Sequence, residues 1–166
     1  MSTISATQRF GLSVMETFTE AELPAAKNRT IVDDQFGSSV KLDAASTPPA
    51  TKAWSAKGTS TQTIDLTVLD RSVGPSINAS GLRLQMLLLN NLSATASLMI
   101  DKGASNGYPI NGSSEGLVVP PSGSAQLYFA DGLADVASGA KTLDVTVTPA
   151  GSGVEVEDFE IQLVFG

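Results

Sequence analysis

The sequence predicts an all-β protein, an antiparallel β-sandwich or jelly-roll-like domain of about eight strands with an extended N-terminal arm. After Pro49, short segments of alternating apolar and polar residues are separated by Gly, Pro and Asn turn signals about every 8–15 residues. The chain also lacks the strand–helix–strand rhythm of a parallel sheet. We therefore divide it into an N-terminal arm or linker, partly extended, at 1–50 and a sandwich domain at 51–166.

The N-terminal arm begins with a strand-like segment that has one apolar face. Apolar side chains fall on even positions and polar ones lie between them, which is the period of an extended strand. An apolar strand with a free edge can add to the sheet of a neighbouring subunit. The residues that would form this assembly arm are Ile4, Phe10, Leu12 and Val14. The alternative is an edge strand of the chain's own domain.

Residues 19–49 have a looser pattern, with acidic residues, Pro24 and a turn-rich end. The alternatives are a short helix at 20–27 and a segment that becomes ordered only on a partner. We interpret the stretch as an arm or linker.

The first predicted strands of the sandwich differ in how much of each is buried. The segment 51–57 has the only tryptophan, Trp54, which we place in the core. In the segment 61–69, Ile64, Leu66 and Val68 share one predicted face. The segment 82–92 is apolar at both parities, which is typical of a central strand covered on both sides.

The remaining predicted strands lie at 96–100, 117–119, 124–130 and 143–147, with a last strand closing the chain. Asn106-Gly107 and Asn111-Gly112 mark turns in a loop at 103–116. In the last strand, Val154 and Val156 have the opposite parity to Phe159 and its successors, so we expect a β-bulge or a turn near 157–158.

Composition excludes several classes of function. The chain has no cysteine and no histidine, which removes disulfides, thiolate zinc sites, thiol nucleophiles and the commonest general base. Its net charge of −7 opposes binding to nucleic acid or to anionic membranes. No segment reaches the length of a membrane span and the N-terminus lacks a secretory signal, so we expect synthesis in a cytoplasm.

Two groups of carboxylates are the remaining candidates for chemistry. The densest group is Glu155, Glu157, Asp158 and Glu160, which we interpret as a solvated sheet edge that discourages sheet-to-sheet aggregation. Asp131 and Asp135 offer oxygens to a calcium ion, but the segment lacks the ligand density of a calcium loop, so a turn at Asp131-Gly132 is the better interpretation. We therefore expect no catalytic residues, no cofactor and no metal.

A resemblance to a known family runs from about Thr61 to Gly166, about two thirds of the chain, and three segments within it are the most similar. They are Thr63-Ile64-Asp65-Leu66 leading through Gly81-Leu82-Arg83-Leu84-Gln85 to Asn90-Asn91-Leu92, then Gly103 to Pro109 with Val118 to Gly123, and finally Tyr128-Phe129-Ala130-Asp131-Gly132-Leu133. With these segments the chain resembles small all-β virion proteins of tailed phages, of the capsid decoration (cement) type.

The resemblance implies a jelly-roll-like fold, a homo-oligomer of which a trimer is favoured, and the major capsid protein as partner. It also implies a location on the capsid surface of the virion and no catalytic residues. Two alternatives remain open: a tail, fibre or head-spike component of a phage, and a non-catalytic carbohydrate-binding β-sandwich module.

Overall fold

The computed structural model describes residues 5–12, 15–18, 29–32, 36–71, 75–110, 116–148 and 159–166. These residues form β-strands, turns and loops, and none of them lies in a helix. No helix in this part of the chain is therefore long and apolar enough to cross a membrane. The chain divides into two compact units, Ser5–Leu42 and Asp43–Gly166.

The first unit contains nested strand pairs. Its strands are β1 (Ser5–Leu12), β2 (Met15–Phe18), β3 (Arg29–Val32) and β4 (Phe36–Asp43, which ends one residue past the unit). β1 is hydrogen-bonded to β4, and β2 pairs antiparallel with β3 so that Met15 faces Val32. The sequence did not predict β2, β3 or β4, because these segments are short or broken by Gly37 and polar residues. The alternative helix at 20–27 lies outside the described residues.

The second unit contains two antiparallel four-stranded sheets. The first sheet has the order β10-β7-β12-β5 and the second has the order β6-β11-β8-β9. The strands are β5 (Lys52–Gly58), β6 (Gln62–Asp65), β7 (Leu84–Asn91), β8 (Ser97–Lys102), β9 (Leu117–Val119), β10 (Ser124–Tyr128), β11 (Thr142–Thr148) and β12 (Phe159–Phe165).

The pairing within these sheets is nested along the chain. The first strand of the unit, β5, pairs with the last, β12, and β6 pairs with β11. Further in, β7 pairs with β10 and β8 with β9. β7 also pairs with β12, and β8 with β11. From β5 to β12, each strand therefore lies in the opposite sheet from the strand before it, except β9, which shares a sheet with β8.

The two sheets pack face to face, as the sequence predicts for a β-sandwich. Alternate residues of the central strands fill the core, including Ile161 and Leu163 from β12 and Leu143 and Val145 from β11, all with 0% exposure. Trp54, at 8% exposure, lies in the same core, as predicted. Burial of apolar area contributes about 25 cal/mol per Å², so this inner layer supplies most of the stability of the unit.

The apolar face predicted for the segment 61–69 is wrong at its last residue, Val68. Ile64 and Leu66 are buried, but Val68 is 59% exposed. The reason is that β6 ends at Asp65, whose Oδ1 accepts hydrogen bonds from the backbone N and the Oγ1 of Thr67. This side-chain turn stops the strand alternation that the sequence pattern continued through Val68.

β7 is a central strand, as predicted, and a bulge changes its parity. Val164 faces Met86 but Phe165 faces Leu84, so Gln85 is an extra residue in β7. Leu84 and Leu87 can thereby both enter the core. Met86 and Val164, on the outer face, are only 6% and 8% exposed, whereas Leu88 is half-buried, so β7 is covered on both sides only near its start. The bulge predicted near 157–158 lies outside the described residues.

Candidate functional site: the cleft beside β5 and β12

The residues of the predicted assembly arm lie mostly beyond what the structure describes. Ile4 and Val14 are outside the described residues. Phe10 and Leu12 belong to β1, which is hydrogen-bonded to β4. The role of this strand in assembly stays a prediction.

The predicted acidic cluster is described at one residue only. Glu155, Glu157 and Asp158 lie outside the described residues, and Glu160 lies on β12. Its register places it between Lys57 of β5 and Asn90 of β7, on the outer face of the first sheet. The predicted sheet edge is therefore wrong at Glu160, because β12 is an inner strand of this sheet. The two carboxylate oxygens of Glu160 accept hydrogen bonds from these neighbours.

The three side chains form a polar ladder across three strands. Lys57 Nζ lies 2.9 Å from Glu160 Oε1, and Asn90 Nδ2 donates to Glu160 Oε2 at 3.4 Å. The hydrogen bond from Lys57, then that from Asn90, lowers the pKa of Glu160 from its ordinary value. Glu160 is therefore ionised at neutral pH, which disfavours a role as a general acid.

A cleft of about 620 Å³ opens beside this ladder. We call it the β5–β12 cleft, since the outer faces of these two strands form its floor and the segment after Leu69 forms its wall. Its lining residues are Ser55, Ala56, Lys57, Asp70, Arg71, Glu160, Ile161 and Gln162. Ile161 points into the core and contributes only backbone, so the side chains that a ligand would meet are mostly polar.

The wall of the cleft is anchored to β5. Trp54 Nε1 donates to the backbone oxygen of Asp70 at 2.7 Å, and Arg71 Nη2 donates to the backbone oxygen of Ala53 at 3.2 Å. Ser76 donates to Asp70 Oδ1 at 2.7 Å. These contacts hold the carboxylate and the guanidinium at the rim of the cleft.

The floor of the cleft has polar groups that remain available. Ser55 and Gln162 are directly opposite each other on β5 and β12, and both are exposed. Neither side chain makes a hydrogen bond to another described residue. The cleft thus combines a satisfied ion pair at one end with unpaired hydrogen-bonding groups on its floor.

The calcium hypothesis at Asp131 and Asp135 is not favoured by their surroundings. Arg83 Nε lies 2.8 Å from Asp135 Oδ1, and its Nη1 donates to the backbone oxygen of Asp131 at 3.5 Å. The positively charged guanidinium contacts both residues and therefore opposes the binding of a metal cation there. Gly132 follows with a φ of 70°, so the turn predicted at Asp131-Gly132 is present.

A candidate metal centre is absent from the described part of the chain. This part contains no group of three or more acidic, histidine or cysteine side chains that could hold a metal ion. Sequence analysis did not single out Arg71, Ser55 or Gln162. The only available signal was the alternation on β5 and β12, which places Ser55 and Gln162 on outer faces without showing that they are cross-strand neighbours.

In the comparisons with known proteins, no family model matches the sequence, and neither a curated protein nor a solved structure matches it.

Proposed function

We propose that the protein is a structural component of a tailed-phage virion, a capsid decoration or cement protein that binds the outer capsid lattice and stabilises the head. Its partner is the major capsid protein, and it acts on the virion surface as a homo-oligomer, with a trimer favoured. It performs no catalysis.

The nested strand order is the observation that carries the proposal. Pairing of β5 with β12, β6 with β11, β7 with β10 and β8 with β9 supports a jelly roll of eight strands. A jelly roll folds one long antiparallel ribbon into two sheets, and it recurs in viral capsid proteins. The resemblance of the segments between Thr63 and Leu133 to decoration proteins points the same way.

The surface chemistry also supports a structural role. The net charge of −7 and the absence of cysteine suit a protein that is held in many copies outside a nucleic-acid container. Among the described aromatic side chains, Trp54, Tyr108, Phe159 and Phe165 are buried and the other two are half-buried. A carbohydrate-binding module that relies on exposed aromatic rings is therefore a weaker second candidate.

The copy number in virions tests the proposal. We expect quantitative mass spectrometry of purified virions to find this chain at parity with the major capsid protein or at a simple fraction of it, such as one to three. A tail, fibre or spike component would be present at a small number of copies per particle instead. That result, or the absence of the chain from virions, would contradict a decoration role.

A second experiment tests the arm. We expect deletion of residues 1–18 to leave the second unit folded, because each described strand of that unit pairs only with other strands of the same unit. The same deletion is expected to abolish oligomer formation or capsid binding. Normal assembly of the truncated chain, measured by sedimentation with isolated capsids, would show that the arm has no part in it.

A further inference from the structure

We propose that the β5–β12 cleft binds a neutral polyhydroxylated ligand, such as a sugar unit of a glycan. This inference goes beyond the virion role and does not depend on it. It follows from the balance of charge in the cleft, from the hydrogen-bonding groups on its floor, and from the rigidity of the elements that present them.

The charges that line the cleft cancel. Lys57 and Arg71 contribute two cations, and Asp70 and Glu160 contribute two anions. An anionic ligand would be attracted by Arg71 but repelled by the carboxylates of Asp70 and Glu160. A cationic ligand would be attracted by these carboxylates but repelled by Arg71 and Lys57. A ligand without net charge avoids both costs.

The available polar groups suit hydroxyl groups in particular. The Ser55 hydroxyl and the Gln162 carboxamide can each donate and accept, and neither bonds to another described residue. Their β-carbons are about 5 Å apart as a directly opposed cross-strand pair. Sugar hydroxyls also donate and accept, so adjacent hydroxyls on one ring match this pair.

The rim of the cleft adds a hydrogen-bond donor, the guanidinium of Arg71, and an acceptor, the carboxylate of Asp70. The guanidinium of Arg71 has five N–H donors, of which one bonds to Ala53, and Asp70 Oδ2 remains as an acceptor beside the occupied Oδ1. The guanidinium is planar and holds its remaining N–H groups in a fixed geometry, so it can donate to two neighbouring hydroxyls at once, and Asp70 Oδ2 can accept from a third.

The site is held in place before any ligand arrives. Its floor lies on two paired strands, the Lys57–Glu160 ion pair closes one end, and the bond from Trp54 to Asp70 fixes the wall. The volume of about 620 Å³ falls within the usual range of small-ligand sites. Sites presented on regular elements hold their geometry better than sites on loops.

An extended peptide is the competing occupant. Peptides that add to a sheet use the main chain of an edge strand. Here the unpaired groups are side chains on the face of the sheet, and the guanidinium of Arg71 already bonds to the main chain of β5 at Ala53. These observations favour a ring of hydroxyls over a peptide strand.

The test is a titration of the full chain, labelled with ¹⁵N, followed by NMR. The neutral probes are the methyl glycosides of glucose, galactose and mannose. We expect at least one of them to shift the side-chain amide signals of Gln162 and the Nε–H signal of Arg71 in a saturable way. Without an aromatic platform the affinity is modest, with a dissociation constant of about 1–10 mM.

Charged and peptide probes make the test selective. Methyl glucuronide and glucosamine are expected to bind no more tightly than the neutral glycoside. If either of them bound more tightly, or if acetyl-Gly-Ser-Gly-Ser-amide did, the assignment of a neutral glycan would be overturned. The same holds if none of the three neutral glycosides gives a saturable shift at about 50 mM, well above the expected dissociation constant.

Two variants locate the site. Gln162→Ala is expected to weaken binding about tenfold, because a hydrogen-bonding partner is lost. Gln126→Ala is the matched control, since Gln126 is an exposed glutamine on the outer face of the same sheet but on the opposite edge strand, β10. Equal losses in the two variants would refute the placement of the ligand in the cleft. Because the titration uses the isolated chain, its outcome is independent of the copy number in virions.

Discussion

Ile161 and Gln162 are neighbours on β12, yet Ile161 is fully buried between the sheets and Gln162 is exposed on the outer face. The same contrast recurs on β9, where Val119 is buried and Val118 is exposed, and in a weaker form on β7, where Asn91 is buried and Asn90 is half-buried. The inner faces resemble one another, because each consists of aliphatic and aromatic side chains that fill one core.

The outer faces of the two sheets differ from each other. The first sheet has the polar ladder of Lys57, Glu160 and Asn90 and the β5–β12 cleft. The second sheet exposes Val118, at 59%, beside Met99 on the next strand. We infer that the inner faces determine the fold and that the outer faces are free to differ according to what each contacts. Substitutions of adjacent residues test this directly.

The largest difference in the free energy of unfolding is expected between alanine variants of Ile161 and Gln162. Ile161→Ala removes buried methyl groups from a central strand and leaves a cavity, so the free energy of unfolding should fall by about 2–5 kcal/mol. Gln162→Ala, one residue away, should change it by less than about 0.5 kcal/mol. Urea unfolding of both variants measures the contrast, and similar losses would mean that β12 is covered on both faces in solution.

Asn91 and Asn90 offer the same comparison for one residue type. Asn91 is 3% exposed, and its Nδ2 donates to the backbone oxygens of Ala96, Val119 and Pro120 at 2.8–3.2 Å. Asn91→Ala leaves these acceptors without their side-chain donor, so we expect a loss of about 2–3 kcal/mol. Asn90→Ala should cost less than about 0.5 kcal/mol, since its side chain is half-buried on the outer face.

The control for this pair is the cooperativity of unfolding. If Asn91→Ala lowers the midpoint in urea without changing the slope, the loss is one of stability. A loss of the same size in Asn90→Ala would show that the ladder to Glu160 stabilises the sheet as strongly as the buried contacts of Asn91 do.

The pattern of apolar residues predicted most strands of the second unit because period-two alternation reports burial directly. It placed Trp54 in the core and located β7, β8, β9 and β10. It failed at Val68, since a side-chain turn at Asp65 depends on a hydrogen bond that no periodicity encodes. It also missed β2 and β3, whose four residues each give too little alternation to register.

The cleft was beyond sequence reasoning for a different reason. Ser55 and Gln162 are 107 residues apart by their numbers and become neighbours only through the pairing of β5 with β12. Arg71 reaches β5 from a connecting segment whose path depends on the bond from Trp54 to Asp70. Strand pairing over such separations depends on the whole core, so local pattern does not reveal it.

A smaller difference in stability is expected between threonine variants of the two valines of β9. Val119 is 1% exposed and Val118 is 59% exposed. Threonine has nearly the shape of valine and the same preference for strands, so the substitution isolates the cost of placing a hydroxyl at each position. We expect Val119→Thr to cost about 1–2 kcal/mol and Val118→Thr less than about 0.5 kcal/mol. A marked loss for Val118→Thr in thermal unfolding would indicate that the second sheet is covered by another molecule under the conditions used.

The smallest effect on stability is expected for the ion pair of Asp65 and Lys141. These side chains are neither buried like Ile161 nor exposed like Gln162. Lys141 Nζ lies 2.7 Å from Asp65 Oδ2, and the two side chains are 28% and 35% exposed. Burial raises the pKa of Asp65, but the hydrogen bonds from Lys141 and from Thr67 outweigh it and hold that pKa below its ordinary value.

Because the folded-state pKa of Asp65 is the lower one, this carboxylate stabilises the fold above the unfolded-state pKa of about 3.9, and the contribution is lost as the pH falls through the folded-state value. Solvent screens a half-exposed pair, so we expect Asp65→Asn to lower the free energy of unfolding at pH 7 by only about 0.5–1 kcal/mol. The difference between the wild type and Asp65→Asn should shrink below about pH 4. A double-mutant cycle with Lys141→Met separates the pair from the hydrogen bonds to Thr67. If the cycle gives no coupling energy at pH 7, the turn at Thr67 alone accounts for the effect of Asp65, and the edge of β6 depends on local geometry and not on the ion pair.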